Sequence, residues 1–244
     1  LSVGKDTIYI WENNENMLHE NDAAKILYKI SAGDNMHGSD IKEGKIELIA
    51  DIDGVLKIDR KKLTSINSLG EMMIASRHGD FPVKTGDKIA GTRVIPLVID
   101  KAKMEEAEKV AGDESIFSIK PYILKRAGVV TTGSEIYKKR IEDTFTPVIV
   151  EKLSEYGIDV VCHEYCSDDH EDITKKINSM LSEGVDIVIC TGGMSVDPDD
   201  RTPLAIKNTG ANIITYGAPV LPGAMFLLSY KDGVPIIGLP GCVM

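Results

Sequence analysis

The feature that most constrains this chain is a run broken only by one acid, Val185-Asp186-Ile187-Val188-Ile189, set between two stretches of helical pattern. A strand with one wet face alternates apolar and polar residues, so a run this apolar belongs in the middle of a sheet covered on both sides. The segments before it repeat one grammar from Arg126 onward. A strand at Ala127-Gly128-Val129-Val130 precedes a helix over residues 141–156; a strand at Ile158-Asp159-Val160-Val161 precedes a helix over 169–182. Repetition of strand, turn and helix predicts βαβ units, which place strands parallel. After the central run come a helix over 202–208, a strand over 211–216, and closing strands at Met225-Phe226-Leu227-Leu228 and Pro235-Ile236-Ile237. The fold class expected for residues 121–244 is α/β: a three-layer α/β/α domain with a mostly parallel sheet.

The first half follows other rules. Short β-like runs at Thr7-Ile8-Tyr9-Ile10-Trp11, Lys45-Ile46-Glu47-Leu48-Ile49 and Val55-Leu56-Lys57-Ile58 alternate with charged turns, and residues 89–99 form the clearest long strand. Helices are expected over 21–31, capped by Asn21 or Asp22, over 59–67, and over the charged stretch 101–111. Residues 1–120 therefore read as a smaller mixed α+β domain of unassigned role, with the boundary at 118–126. A length of 244 residues suits two domains.

Composition narrows the function. A formal net charge of −10 supplies no broad basic surface, which argues against a general nucleic-acid or anionic-membrane partner. An anionic ligand must then be held locally, by backbone N–H groups or by a bound cation such as Mg²⁺. No apolar run approaches the ~20 residues of a membrane span, and no charged-then-apolar leader is read, so the expected location is cytoplasmic. Cys162, Cys166, Cys190 and Cys242 form neither a CxxC pair nor a disulfide framework and are read as reduced, packed thiols. The five histidines show no metal spacing and are read as surface or helix-start residues.

Three glycine-bearing loops follow expected strands: Thr131-Thr132-Gly133-Ser134-Glu135, Thr191-Gly192-Gly193-Met194-Ser195, and residues 219–225 around Pro222, Gly223 and Met225. In open α/β sheets, ligands sit outside the carboxyl ends of the strands. Glycine admits close backbone approach there, and neighbouring hydroxyls can donate to phosphate or ring oxygens. A tight turn that needs positive φ explains any one of these glycines equally well. Two acidic segments, Asp168-Asp169 and Asp197-Pro198-Asp199-Asp200 before Thr202-Pro203, stand before expected helices. Helix capping accounts for them, and so does Mg²⁺ beside a phosphate; Thr202 as the cap would leave Asp200 free. Lys138-Lys139-Arg140 and Arg201 read either as phosphate contacts or as solvated helix starts.

Taken in order and spacing, these segments resemble the molybdopterin-binding domain family, shared by molybdopterin adenylyltransferases, molybdenum insertases and CinA-like proteins. The resemblance covers residues 125–244. It implies that Asp168 and Asp200 stand at the family's two functional aspartates, catalytic and Mg²⁺-binding. It further implies that Thr132, Gly133, Ser134 and Glu135 form the first ligand loop, and that Gly192, Gly193, Met194 and Ser195, with Thr202, form the second. Pro222, Gly223 and Met225 sit where insertases carry a Pro-Gly-Lys turn, and the lysine is absent. The chain is thus similar to a divergent insertase-like branch. The implied ligand is molybdopterin or its adenylylated form with Mg²⁺, with ATP as co-substrate if the reaction is adenylyl transfer. Two alternatives stay open, a CinA-like nucleotide pyrophosphate hydrolase and a non-catalytic pterin sensor or carrier. So does a homo-oligomeric state.

Overall fold

The computed structural model describes residues 15–195 and 200–240. The chain divides into two compact units, Leu1–Tyr122 and Ile123–Met244.

In the first unit the order is β1 (Met17–His19), α1 (Glu20–Ser31), β2 (Met36–Gly38), β3 (Lys45–Ala50), β4 (Gly54–Ile58), α2 (Arg60–Asn67), β5 (Met72–Ser76), β6 (Phe81–Val83), β7 (Lys88–Val94), β8 (Val98–Asp100), α3 (Lys101–Ala111) and β9 (Phe117–Pro121). All strand pairs here are antiparallel, in sheets ordered β1-β8, β2-β3-β7-β5 and β6-β4-β9. Leu27, Leu48, Leu56, Ile89, Met104 and Phe117 lie in one core. Asp59 and Asp100 cap α2 and α3, their carboxylates accepting from the first free N–H groups.

Two expectations for this half change, and a third falls outside the described residues. The strand at residues 7–11 lies outside the described residues. The long strand over 89–99 is two strands, β7 and β8, because Pro96 between them has no N–H to give a ladder. Helix α1 starts one residue early, and its cap is His19, whose ring nitrogen accepts from Asn21 N, rather than Asn21 or Asp22.

The second unit runs β10 (Arg126–Thr132), α4 (Ser134–Tyr137), α5 (Phe145–Ser154), β11 (Asp159–Cys166), α6 (His170–Ser182), β12 (Ile187–Thr191), α7 (Thr202–Asn208), β13 (Asn212–Tyr216), β14 (Leu227–Lys231) and β15 (Val234–Leu239). Its sheet is ordered β11-β10-β12-β15-β14-β13, with the first four strands parallel and β14 antiparallel to both neighbours. The apolar run is indeed central. Ile187 and Ile189 pack with Ile149 of α5 on one face, and Val188 and Cys190 with Ile173, Ile177 and Ile206 of α6 and α7 on the other. This is the expected three-layer α/β/α arrangement. Asp186, the one acid in the run, points its carboxylate at Lys125 N and Arg126 N (2.7 and 2.9 Å), fixing the entry to β10.

The helix expected over 141–156 starts only at Phe145, where the Asp143 carboxylate takes the N–H groups of Phe145 and Thr146 (both 3.0 Å). Residues 138–140 are no helix start: α4 ends at Tyr137 and Lys139 has a left-handed φ of 55°. Of the four thiols, Cys166 and Cys190 are fully buried, Cys162 is partly buried and Cys242 lies outside the described residues; burial pushes the Cys166 thiol up to about 12.

Candidate functional site

Strand β10 leads to β11 on one side, whereas β12 lies on its other side and leads away from it. The loops after β10 and β12 thus part in opposite directions, and open α/β sheets take their ligands outside the carboxyl ends of the strands at such a switch point. Three threonines meet there. Thr132 Oγ1 lies 3.1 Å from both Thr191 O and Thr202 Oγ1, and Thr202 Oγ1 donates to Gly192 O at 2.9 Å. Thr132 and Thr202 are 2% and 0% exposed, so their hydroxyls brace the two loops and offer nothing to solvent. Two hydroxyl protons serve three contacts, so the chain of bonds runs in one direction at a time.

The glycines are explained by this closeness. A Cβ on Gly192 (φ 82°) would stand 2.2 Å from Thr132 O, and one on Gly193 (φ 54°) 2.8 Å from Thr202 Oγ1. Gly133 differs. At φ 134° it has nothing within 4 Å of a Cβ position, so its absent side chain leaves open space above the first loop.

Asp168 reaches across to the first loop, its Oδ2 accepting from Ser134 N at 2.9 Å. One carboxylate oxygen therefore holds the loop, and Asp169 beside it caps α6 through Glu171 N. Asp200 is different. Its Oδ2 is buried without a hydrogen-bond partner, as are Thr191 Oγ1 and His170 Nδ1. Its charge is felt by Tyr216 at the end of β13, whose hydroxyl is pushed up by burial and then by Asp200. Asp197 and Asp199 lie outside the described residues.

Of the remaining expected residues, Glu135 and Ser195 are exposed and Ser134 is half-buried. The Met194 side chain turns inward. It is 2% exposed and packs in the core against Gly238, where a Cβ would meet its Cε at 2.6 Å. The Pro222, Gly223 and Met225 loop is a hairpin between β13 and β14, closed on itself by Gly217 N to Phe226 O and Ala218 N to Ala224 O (2.8 and 2.9 Å). It leaves the same sheet edge as the other two loops, but β13 is three strands from β12. No hydrogen bond joins it to them among the described residues.

A second polar cluster was not read from the sequence. On the opposite face of β10, Thr131 Oγ1 meets His163 Nε2 at 2.9 Å and Thr146 Oγ1 at 3.1 Å, and Thr146 Oγ1 donates to Asp143 Oδ2 at 2.5 Å. Burial opposes the Asp143 charge, yet the Thr146 hydroxyl and the N–H groups of Thr146 and Phe145 hold it below its ordinary pKa. Burial also keeps the His163 pKa low, against the pull of Asp143. His163 is thus no surface or helix-start residue, whereas His170 does begin α6. The signal was partial: Asp143 three residues before Thr146 is a cap pattern, but the meeting with His163 depends on strand register. Beside the cluster lies a cavity of ≈ 520 Å³ walled by Ile136, Tyr137, Ile141, Asp143 and Tyr165.

Among the described residues no helix is long and apolar enough to cross a membrane, and no three His, Cys, Asp or Glu residues gather as a metal group.

Residues 128–244 match the family described as a probable molybdopterin binding domain. A CinA-like protein of Mycobacterium sp. (strain MCS) is 35% identical over 77 residues, 32% of this chain and 18% of that protein. The CinA-like protein of Mycobacterium tuberculosis (strain H37Rv) matches to the same extent, so the aligned segment spans under a fifth of these relatives. Among solved structures, the protein CinA from Thermoplasma acidophilum aligns at 23% identity with a TM-score of 0.44, covering 48% of this chain and 89% of that one. The tungsten cofactor synthesizing protein MoaB from Pyrococcus furiosus aligns at 26% identity with a TM-score of 0.42, covering 49% and 84%. The second unit is thus similar to molybdopterin-binding and CinA-like domains.

Proposed function

We propose that the second unit binds molybdopterin or its adenylylated form, with the ligand's phosphate between the ends of β10 and β12. One observation carries this reading: Asp200 Oδ2 is buried and partnerless in the loop after the central strand of a domain matching the molybdopterin-binding family. An unsatisfied buried acceptor costs about 1–3 kcal/mol, more when charged, so Asp200 calls for a donor or a cation. Mg²⁺ fits that need, because it takes one or two carboxylates and fills its remaining positions with phosphate oxygens and water. Asp200 would hold it, and the free oxygen of Asp168 is the second candidate. Bound there, Mg²⁺ would neutralise phosphate charge.

The chain's own residues do the positioning. Thr132 and Thr202 fix the two loops, Asp168 holds Ser134, and Gly133 leaves room for the ligand. Ser134, Glu135 and Ser195 face outward for contact, while Gly192, Gly193 and the Met194 backbone shape the wall. Pro222, Gly223 and Met225, further along the edge, suit the far end of an extended ligand. With ATP as co-substrate the reaction is adenylyl transfer. The absent lysine after Pro222-Gly223 weighs against insertion of molybdenum.

The 35% identity to CinA-like proteins over 77 residues favours a second reading, hydrolysis of a nucleotide pyrophosphate. Incubation with Mg²⁺ and either ATP plus molybdopterin or ADP-ribose separates the two by product. Calorimetry tests the shared binding step. Asp200→Asn is expected to weaken Mg²⁺-dependent molybdopterin binding at least about tenfold, the loss of one charged contact. Wild-type affinity in that variant would remove Asp200 from the site.

A further inference from the structure

The first unit carries a feature that the pterin reading does not use. Strands β3, β7 and β5 turn one face to solvent, and a groove of ≈ 520 Å³ lies on it. Two cross-strand rows form its floor and one end: Lys45, Arg93 and Met73 stand side by side in register, and Glu47, Gly91 and Ala75 form the next row. Lys88 and Arg77 close the other end. Gly91 makes the trough, because a Cβ there would meet nothing nearer than Lys45 Cε at 3.9 Å.

The charges along this groove do not balance. Four cationic side chains line it against a single carboxylate, Glu47, in a chain of net charge −10. Lys45 and Lys88 both reach Glu47, at 2.7 and 2.6 Å, and together hold its carboxyl down to about 2. Arg77 pairs with Asp87 at 2.9 Å. Arg93 makes no ion pair among the described residues and stands directly across from Lys45. Like charges opposite each other in a sheet are destabilising, so the bare groove is held at a cost that an anion would remove.

We propose that this groove is a binding site for a small phosphorylated anion of the diphosphate class. Its volume lies within the roughly 300–1,000 Å³ of small-ligand sites. Arg93 and Arg77 offer forked donors at its two ends, and Lys45 and Lys88 supply movable ammonium groups between them. The floor of Gly91 and Ala75 leaves space for a ligand to lie close to the backbone.

The probe is inorganic pyrophosphate, titrated at low salt into the full chain by calorimetry and followed in parallel by thermal unfolding. Wild type should bind and be stabilised. The Lys45→Ala/Arg93→Ala double variant should lose this component by about tenfold or more, since it removes two charge-assisted contacts. Gly91→Val fills the trough without changing charge and should also block it. Glu47→Gln releases both lysines and should tighten binding. Pyrophosphate held in the second unit is indifferent to all three changes, so failure of the pterin reading and failure of this one are separable. The proposal is overturned if wild type binds no pyrophosphate, or if the Gly91 and double variants, folded by circular dichroism, bind it as wild type does.

Discussion

The two principal sheets leave room for a ligand in different places. In the first unit, β3 and β5 alternate buried and exposed residues, and the exposed set forms an open face with Gly91 at its centre. In the second, every residue from Ala127 to Thr132 and from Ile187 to Thr191 is buried, so neither face is free. Connectivity is the cause. Parallel strands need crossover helices, and these cover both faces, whereas antiparallel strands return through short links and can stay bare on one side. A site in the first unit can lie on a sheet face; in the second it must lie at the sheet's edge.

The sharpest break of this comparison lies in the glycines. Gly192→Ala places a Cβ 2.2 Å from Thr132 O at a φ of 82°. Positive-φ strain and displaced backbone should together lower the unfolding free energy by about 3 kcal/mol or more in urea titrations. Gly91→Ala meets no atom nearer than 3.9 Å and should change stability by less than about 1 kcal/mol in either direction. Similar losses at both positions would show that the edge and the face are not packed differently.

A smaller effect is expected from the hydroxyls. Thr202→Val keeps the shape but takes from Gly192 O its hydroxyl donor, at a cost of about 1–3 kcal/mol, while Thr132 Oγ1 keeps Thr191 O. Thr92→Val, inside the first sheet, removes one 3.3 Å contact to Ile46 O and should cost less. The site variant Asp200→Asn should go the other way. Replacing a buried, partnerless carboxylate should raise the ligand-free unfolding midpoint even as binding weakens, a pattern typical of functional sites. A fall in the midpoint would mean that the Asp200 charge is already satisfied without ligand.

What could be read from the chain was whatever depends on local period and capping. The run at residues 185–189 announced a doubly covered strand, and α3 spans the 101–111 stretch read as helix. Pro96 was overlooked: a residue without an N–H argues against the single strand expected over 89–99, and the structure breaks there. Long-range pairing was not legible. Nothing near Asp168 says that it will hold Ser134, 34 residues earlier, and nothing in Gly193-Met194-Ser195 says that the methionine turns into the core. The groove over Gly91 is hidden for the same reason: Lys45, Arg93 and Met73 lie far apart in sequence and meet only through register.

The smallest expected effect concerns pH, and it also tests the contrast between edge and face. His163 sits half-buried in the middle of the edge strand β11, opposite Val129 of β10, and burial holds its pKa below the ordinary value of about 6.5. In the window between the folded and unfolded values the unfolded chain binds more protons, so stability rises with pH through that window. The His163 contribution is therefore complete above about 6.5 and is lost as pH falls through the folded value. Asp143, also depressed, acts in a separate and lower window: its contribution is present above about 3.9 and disappears as pH falls through its folded value. Urea midpoints measured from pH 7.5 down to 5.5 should decline in wild type and decline less in His163→Gln. An identical decline in both proteins would mean that the Thr131, Thr146 and His163 cluster is open to water, and that the second sheet's edge is no more closed than the first sheet's face.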